Sequence, residues 1–188
     1  MKKKIGLLGG SFNPPHAGHL DLSLKALNKL QLNEVWWIIA LNNPLKETPK
    51  NNSFSTRFNQ AVEYTSKYSN IIISDLEKKT NLNYSIDTIK KIKHIYRKNE
   101  FVWLMGADNF FQFHNWRDWH EIINSLPIAI FNRPGYSHKS LSSKAAIYYK
   151  NKRKKNSTKL FVSSHPPSWH FVWDLFNNIS SSQIRKSK

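Results

Sequence analysis

Cysteine is absent from all 188 residues of the sequence, and acidic side chains are scarce. Without cysteine the chain forms no disulfide and no thiolate metal site. No apolar run approaches the roughly 18 residues of a membrane-spanning helix. The apolar run after the basic start breaks at Gly9 and Gly10, too early for the core of a signal peptide. We therefore expect a cytoplasmic protein.

The shortage of acidic residues leaves a large positive charge, because 29 Lys and Arg stand against 12 Asp and Glu, a net charge of +17. Such a charge attracts polyanions, as in nucleic-acid-binding proteins. It also fits solvated lysines spread over a surface. Apart from the run at Lys150–Lys155, the lysines are scattered along the chain. Scatter favours the second interpretation, so we expect no nucleic-acid partner and no membrane partner.

Short apolar runs recur along the chain without polar alternation, which is typical of strands buried on both faces of a parallel sheet. Segments with helical spacing separate most of them. The predicted strands are Lys4–Leu8, Val35–Leu41, Asn70–Ser74, Phe101–Met105, Pro127–Phe131 and Lys159–Ser163. The predicted helix stripes are Leu20, Leu24, Leu27 and Leu30; Phe58, Ala61, Val62 and Thr65; and Ile86, Ile89 and Ile92 with Ile95 or Tyr96.

This alternation predicts an α/β fold, a Rossmann-like doubly wound parallel sheet in one domain over residues 1–188. Ligands bind at the carboxyl ends of the strands in such a fold. Two segments are less regular. Residues 136–159 combine a short helix with a basic loop, and residues 163–179 are aromatic-rich and fit either a helix or a strand.

The stretch GLLGGSFNPPHAGHL contains the strongest local signal in the chain. Gly9 and Gly10 follow the first predicted strand, where the backbone turns sharply or approaches a ligand. A stiff proline pair follows, and then His16 and His19, three residues apart, immediately before a predicted helix. Both imidazoles lie on one face near a helix N-terminus, a position that favours anions.

Three interpretations of the histidine pair are open from the residues alone. Two surface histidines can cap a helix; a zinc site would need a third ligand, which the spacing does not supply; and two imidazoles can donate to phosphate oxygens. The order of strand, glycine pair, proline pair and histidine pair favours the phosphate site.

The segment GGSFNPPHAGHL is similar to the signature of the nucleotidylyltransferase superfamily, whose HxGH turn binds the phosphates of ATP. More narrowly, it resembles the bacterial nicotinate-nucleotide adenylyltransferases, which make deamido-NAD and pyrophosphate from ATP and nicotinate mononucleotide. The family usually has Asp at the position of Asn13, and Asn is also tolerated in a turn.

Three further motifs extend the resemblance across nearly the whole chain. NYSIDTI resembles the family's SYTIDT segment, GADNFFQFHNWRDW resembles its GADxxxxxxxW block, and ISSSQIR resembles its C-terminal ISSTxIR. The resemblance implies that Ser85 contacts the nicotinate carboxylate, that Asp108 contacts a ribose and that Trp116 stacks on the nicotinate ring. From the residues alone, Asp108 is equally a helix cap, and either Trp116 or Trp119 belongs to the core.

The resemblance implies direct attack of a nicotinate mononucleotide phosphate on the α-phosphorus of ATP, with Mg²⁺ accompanying ATP and no metal held by a dedicated protein site. It implies three groups of site residues. They are His16, His19 and Arg185 for catalysis; Gly9, Gly10, Ser11, Phe12, His16, His19, Ser181, Ser182 and Arg185 for ATP; and Lys46, Ser85, Asp108, Trp116 and Arg117 for the second substrate.

From the residues alone, Lys46 and Arg117 can each pair with a carboxylate or a phosphate, although on a chain this basic a given cation is more often a solvated surface residue. Two alternatives for the whole protein are a sister enzyme such as a phosphopantetheine adenylyltransferase, and a basic nucleic-acid-binding protein without catalysis. The pyridine-nucleotide motifs argue against the sister enzyme, and the histidine pair argues against the non-catalytic protein. We expect a monomer or a homodimer.

Overall fold

Six parallel strands form one sheet in the order β3-β2-β1-β4-β5-β6. The structure is a computed structural model, and it describes residues 2–42, 53–155 and 161–173. The strands are β1 (Lys4–Gly10), β2 (Glu34–Ile39), β3 (Ile71–Ser74), β4 (Glu100–Gly106), β5 (Ile128–Phe131) and β6 (Trp169–Val172).

Helices connect most of the strands in the described residues. The α-helices are α1 (Ala17–Lys29), α2 (Phe54–Thr65), α3 (Leu76–Thr80), α4 (Ser85–Ile95), α5 (Ala107–Phe111), α6 (Trp119–Ser125), α7 (Ser137–Leu141) and α8 (Lys144–Tyr148). Short 3₁₀ turns lie at Phe113–Asn115, Lys150–Lys152 and Phe161–Ser163.

Both faces of the sheet are buried. Along β4, the side chains of Phe101, Trp103 and Met105 enter one hydrophobic cluster, which α4, α5, α6 and α8 cover. Val102 and Leu104 point the other way, into a second cluster that includes residues of α1 and α2. This alternation is what a strand with two apolar faces requires. The predicted doubly wound parallel α/β sheet is confirmed.

The strand order places β1 beside β4, so the winding of the chain reverses between these two strands. Such a switch point leaves a crevice at the carboxyl ends of the adjacent strands, where α/β proteins bind ligands. Here the crevice lies between Gly10, the last residue of β1, and Gly106, the last residue of β4.

One predicted strand was wrong. The described part of the predicted strand Lys159–Ser163 is the 3₁₀ turn Phe161–Ser163, and the sixth strand is Trp169–Val172, within the segment that fitted either a helix or a strand. Both segments are short and apolar, which spacing alone cannot rank. Pairing decides, because Ile128 to Phe131 of β5 align with the four residues of β6.

The helix stripes were predicted with partial success. Ile86, Ile89 and Ile92 are buried as predicted, whereas Ile95 and Tyr96 are exposed. In α1 the buried residues are Leu22, Ser23 and Ala26, and Leu24 is exposed. In α2 they are Arg57, Ala61 and Thr65, and Val62 is exposed. Leu30 is fully buried, and Leu20, Leu27 and Phe58 are partly buried against the core, so the predicted faces of α1 and α2 are correct except at Leu24 and Val62.

The irregular segment after β5 contains two short helices, α7 and α8, before the basic run. The prediction expected one short helix there, so the segment is more helical than its composition indicated. Among the residues that the structure describes, none of the helices has the length and apolar character needed to cross a bilayer.

Candidate active site

The turn between β1 and α1 is anchored by a buried aromatic ring. Phe12 has a φ of 47°, in the left-handed region that favours glycine. Its ring is buried and stacks on Trp37 with centroids 4.6 Å apart, and it lies 4.7 Å from the ring of His19. Burial of the ring offsets the backbone strain. The turn that carries the histidine pair is thereby attached to the core.

His16 and His19 cap α1 reciprocally. The Gly18 amide donates to Nδ1 of His16 over 3.1 Å, and the His16 amide donates to Nδ1 of His19 over 3.3 Å. The two rings lie against each other with centroids 3.7 Å apart and their planes tilted by 34°. Because each Nδ1 accepts a hydrogen bond, the proton of each neutral imidazole lies on Nε2. Each histidine therefore accepts a backbone amide at the helix start through Nδ1 and keeps Nε2–H as a hydrogen-bond donor.

His16 is neutral at physiological pH. Its burial, aided by the positive charge of Arg133, lowers its pKa from 6.5 to about 4, although Asp108 acts in the opposite direction. Two imidazolium rings 3.7 Å apart would also repel each other. His16 therefore presents a neutral donor rather than a fixed cation.

Asp108 and Arg133 form an ion pair at the ends of β4 and β5. Nη1 of Arg133 donates to Oδ2 of Asp108 over 2.7 Å. Oδ1 of Asp108 is buried and accepts no hydrogen bond from the described residues. Asp108 is the second residue of α5, which begins after Gly106 without a side-chain cap, so the capping interpretation of Asp108 is wrong. A carboxylate oxygen with free acceptor capacity suits a ribose hydroxyl, which is a donor.

Two glycines allow close approach on either side of the crevice. A Cβ on Gly9 would lie 2.9 Å from Cη2 and Cζ2 of Trp103, and a Cβ on Gly106 would lie 2.5 Å from Oδ1 of Asp108. Both distances are shorter than packing tolerates. Gly9 thus lets β1 lie against the indole of Trp103, and Gly106 leaves room for the carboxylate.

Of the side chains predicted to hold the second substrate, Ser85 and Arg117 lie at the start of α4, and Trp116 packs against β4. Trp116 lies edge-on to Trp103 with centroids 6.3 Å apart and is partly buried, whereas Trp119 belongs to the core. The guanidinium of Arg117 covers the ring of Tyr84 at 4.5 Å, and Tyr84 precedes Ser85, the first residue of α4. Ser85 is partly exposed.

Arg117 already has protein contacts: its nearest nitrogens lie 3.5 Å from Asp118 and 4.0 Å from Asp87. Its cation is exposed, so these contacts hold it weakly. A stacked guanidinium at the start of α4 is available to a second anionic group while it keeps the Tyr84 contact.

Comparison with known proteins identifies the family. A family model described as cytidylyltransferase-like matches residues 7–187. A protein of Ruegeria named probable nicotinate-nucleotide adenylyltransferase is 37% identical over 183 residues, which cover 97% of this chain and 96% of the relative. An Erythrobacter litoralis protein of the same name is 41% identical over 150 residues, 80% of this chain and 68% of that one. The chain belongs to the nicotinate-nucleotide adenylyltransferase family.

A solved structure shows the same fold. The nicotinic acid mononucleotide adenylyltransferase of Plasmodium falciparum, complexed with NaAD, superposes with a TM-score of 0.74 over 98% of this chain and 83% of that chain, at 20% identity. The family inferred from the four sequence motifs is confirmed.

Sequence reasoning missed a set of buried polar residues in this member of the family. Arg57, Glu77 and Thr88 are buried, and they contact the backbone or one another behind the crevice. Arg57 shares the buried face of α2 with Ala61 and Thr65 at four-residue spacing. The sequence does contain this signal: an arginine in line with the buried residues of a helix indicates a buried cation. Arg133 was also missed, although it follows β5 at its carboxyl end.

Four predicted site residues lie outside the described residues, namely Lys46, Ser181, Ser182 and Arg185. The structure brings His16, His19, Asp108 and the glycine turn to one crevice, places Arg117 and Ser85 at the start of α4, and packs Trp116 against Trp103 of β4. Within residues 2–42, 53–155 and 161–173, no group of three or more His, Asp or Glu side chains is arranged to hold a metal ion.

Proposed function

We propose that this protein transfers the adenylyl group of ATP to nicotinate mononucleotide, producing deamido-NAD and pyrophosphate. The observation that carries the proposal is the histidine pair, which presents two imidazoles with defined Nε2 donors at the N-terminus of α1, beside the switch point of the sheet. The names of the relatives agree with this activity.

The reaction needs no covalent enzyme intermediate. A phosphate oxygen of nicotinate mononucleotide attacks the α-phosphorus of ATP in line with the leaving group. The new P–O bond forms as the bond between the α-phosphorus and its bridging oxygen breaks, and that electron pair leaves with pyrophosphate. The nucleophile is already an anion, so no general base is required. Catalysis then consists of positioning and of stabilising charge.

His16 and His19 supply the hydrogen-bond donors for this charge. Their Nε2–H groups donate to phosphate oxygens in the ground state, and more strongly as charge develops in the transition state. His19 is the proposed transition-state donor, and His16 orients the triphosphate. Arg185 and Lys46 are proposed to add positive charge. Gly9, Gly10, Ser11 and Phe12 form the turn beside the phosphates, and Ser181 and Ser182 are proposed as further phosphate contacts.

The second substrate occupies the other side of the crevice in this proposal. Asp108 accepts hydrogen bonds from a ribose, and the free acceptor capacity of its buried Oδ1 supports that role. Trp116 stacks on the nicotinate ring. Ser85 and Arg117 bind the nicotinate carboxylate or the phosphate at the start of α4, where a helix N-terminus favours negative charge.

In this proposal Mg²⁺ would enter with ATP rather than occupy a dedicated protein site. Such a substrate-held ion neutralises phosphate charge. Asp108 is the carboxylate of the crevice and is already paired with Arg133.

The test is release of pyrophosphate by the purified protein from ATP with each of three acceptors: nicotinate mononucleotide, nicotinamide mononucleotide and phosphopantetheine. The three acceptors are compared by kcat/KM, because the ratio of these values reports differential transition-state binding directly. We expect the highest kcat/KM with nicotinate mononucleotide. The same assay is run on His19→Ala, for which we expect kcat to fall by about 100-fold or more, the effect of losing a key oxyanion donor.

His94→Ala is the control, because His94 lies in the last turn of α4, away from the crevice. Its turnover should match that of the unmodified protein. Preference for phosphopantetheine would assign a sister activity, and normal turnover in His19→Ala would remove the histidine pair from the mechanism. Salt-sensitive binding of RNA or DNA without any pyrophosphate release would favour the non-catalytic alternative.

A further inference from the structure

Behind the crevice, three buried polar side chains connect elements that are distant in sequence. Arg57 of α2 is 2% exposed, Glu77 of α3 is 6% exposed and Thr88 of α4 is 0% exposed. Their hydrogen bonds go to the backbone of the loops that form the crevice, and to one another.

Arg57 joins the loops that follow β1 and β2. Nη1 donates to the carbonyl of Ser11 over 2.8 Å, and Nη2 donates to the carbonyl of Leu41 over 3.2 Å. Ser11 begins the turn that leads to the histidine pair. The planar fork of a guanidinium fixes two acceptors relative to each other, which a lysine ammonium cannot do.

Glu77 holds Leu41 from the opposite side and extends the connection to α4. Its Oε2 accepts the amide of Leu41 over 3.0 Å, and its Oε1 accepts the hydroxyl of Thr88 over 2.8 Å. Thr88 lies one turn after Ser85, the proposed contact to the second substrate. The three side chains therefore connect the turn at Ser11, the residue after β2 and the start of α4.

Stability alone does not explain this arrangement. Burial lowers the pKa of Arg57 and raises the pKa of Glu77, which means that burial disfavours the charged form of each. In the described part of the chain, Nε of Arg57 is buried without a hydrogen-bond partner. Replacing buried charged groups by well-packed apolar ones is often neutral or stabilising. Arg57 and Glu77 are charged groups buried at this cost, and they hold the backbone of the loops at Ser11 and Leu41. This indicates that the relative position of these loops matters for the site.

We infer that Arg57, Glu77 and Thr88 are positioning residues, which hold the phosphate-binding turn and the start of α4 in the mutual alignment that adenylyl transfer needs. The inference depends on the proposed function. In-line transfer is sensitive to alignment, since a displacement of about 1 Å can reduce the rate by about 100-fold.

Thr88→Val compared with Thr65→Val provides a matched test. Both threonines are buried on helices and donate to the carbonyl four residues earlier, Thr88 to Tyr84 and Thr65 to Ala61. Thr88 also donates to Glu77. We expect the larger loss of melting temperature in Thr88→Val, because it also removes the hydrogen bond to the buried carboxylate of Glu77. Thr88→Val should lower kcat/KM by about 10-fold to 100-fold, mainly through kcat, whereas Thr65→Val should leave kcat/KM unchanged.

Arg57→Lys keeps the charge and removes the fork, so it should also lower kcat more than it raises KM for ATP. The double variant Arg57→Lys, Thr88→Val should lose less than the sum of the single losses in activation free energy, because both residues act through one connection. The side-chain NMR signals of His16 and His19 provide a readout that does not need turnover. They should shift in Arg57→Lys and in Thr88→Val and remain unchanged in Thr65→Val.

The results separate the two proposals. If Thr88→Val turns over like Thr65→Val and leaves the imidazole signals unchanged, the three side chains are merely structural. If the unmodified protein releases no pyrophosphate, the proposed function fails, and the imidazole signals alone then decide the positioning. Should Arg57→Lys fail to fold, the threonine pair still decides.

Discussion

His16 and His19 each have a structural and a chemical task, divided between the two nitrogens of one ring. Nδ1 accepts a backbone amide at the start of α1, and this leaves the proton on Nε2. A hydroxyl or a carboxylate would cap the helix equally well, yet it would not leave a second nitrogen to donate to phosphate. Histidine at these two positions is therefore explained by donation to phosphate more than by helix capping.

The depressed pKa of His16 predicts a specific pH dependence of stability. Between the unfolded pKa of 6.5 and the folded pKa of about 4, the unfolded chain takes up a proton that the folded chain does not. The contribution to stability is therefore fully present above pH 6.5 and is lost as the pH falls toward 4. At about 1.4 kcal/mol per pKa unit the loss is about 3 kcal/mol.

Urea unfolding of the unmodified protein and of His16→Asn, measured across that pH range, tests this. An asparagine keeps a side-chain oxygen that caps α1 and does not titrate. The unmodified protein should lose more free energy of unfolding on acidification than the variant. Parallel curves for the two proteins would mean that His16 titrates normally.

At the scale of elements, β1 and α1 could be placed from the sequence, because an apolar run ending at a glycine pair and a capping residue are local signals. The sixth strand could not. Phe161–Ser163 and Trp169–Val172 have the same apolar character, and only the register with β5 separates them. The burial of Arg57 on α2 was missed for a related reason, since Arg57 is buried by tertiary hydrogen bonds that a hydrophobic stripe does not record.

The contact between β1 and β4 predicts a difference between the two adjacent glycines. A Cβ on Gly9 would lie 2.9 Å from the buried ring of Trp103, and the nearest atom to a Cβ on Gly10 is in Phe12 at 3.2 Å. Gly9→Ala should therefore reduce the free energy of unfolding by about 1–3 kcal/mol, the range for overpacking, and Gly10→Ala should cost less. Chemical denaturation of both variants measures this. Equal stability of the two variants would show that the Trp103 ring moves aside freely.

At the scale of the whole molecule, the net charge of +17 has two opposite effects. Like charges on one chain repel and destabilise the compact state, while the same field attracts an anionic substrate. Salt screens both interactions over about 10 Å at 0.1 M ionic strength.

Addition of NaCl from low concentration should consequently raise Tm and lower kcat/KM for ATP, with kcat at saturating ATP as the control that stays constant. Thermal unfolding and initial rates at a series of NaCl concentrations provide the measurement. If Tm falls with salt, favourable ion pairs outweigh the repulsion, and the scattered lysines have a structural task.

The sequence by itself determined the fold class and the family and supplied the proposed site residues, because spacing, turn residues and the order of motifs are local properties of the chain. Only the tertiary structure decided the identity of the last strand, the pairing of Asp108 with Arg133 and the cluster of Arg57, Glu77 and Thr88. These contacts join residues that are distant in sequence. Asp108 and Arg133 are 25 positions apart, Ser11 and Arg57 are 46 apart, and Leu41 and Glu77 are 36 apart. Such pairings depend on strand register and helix packing, and neither is written in a local pattern.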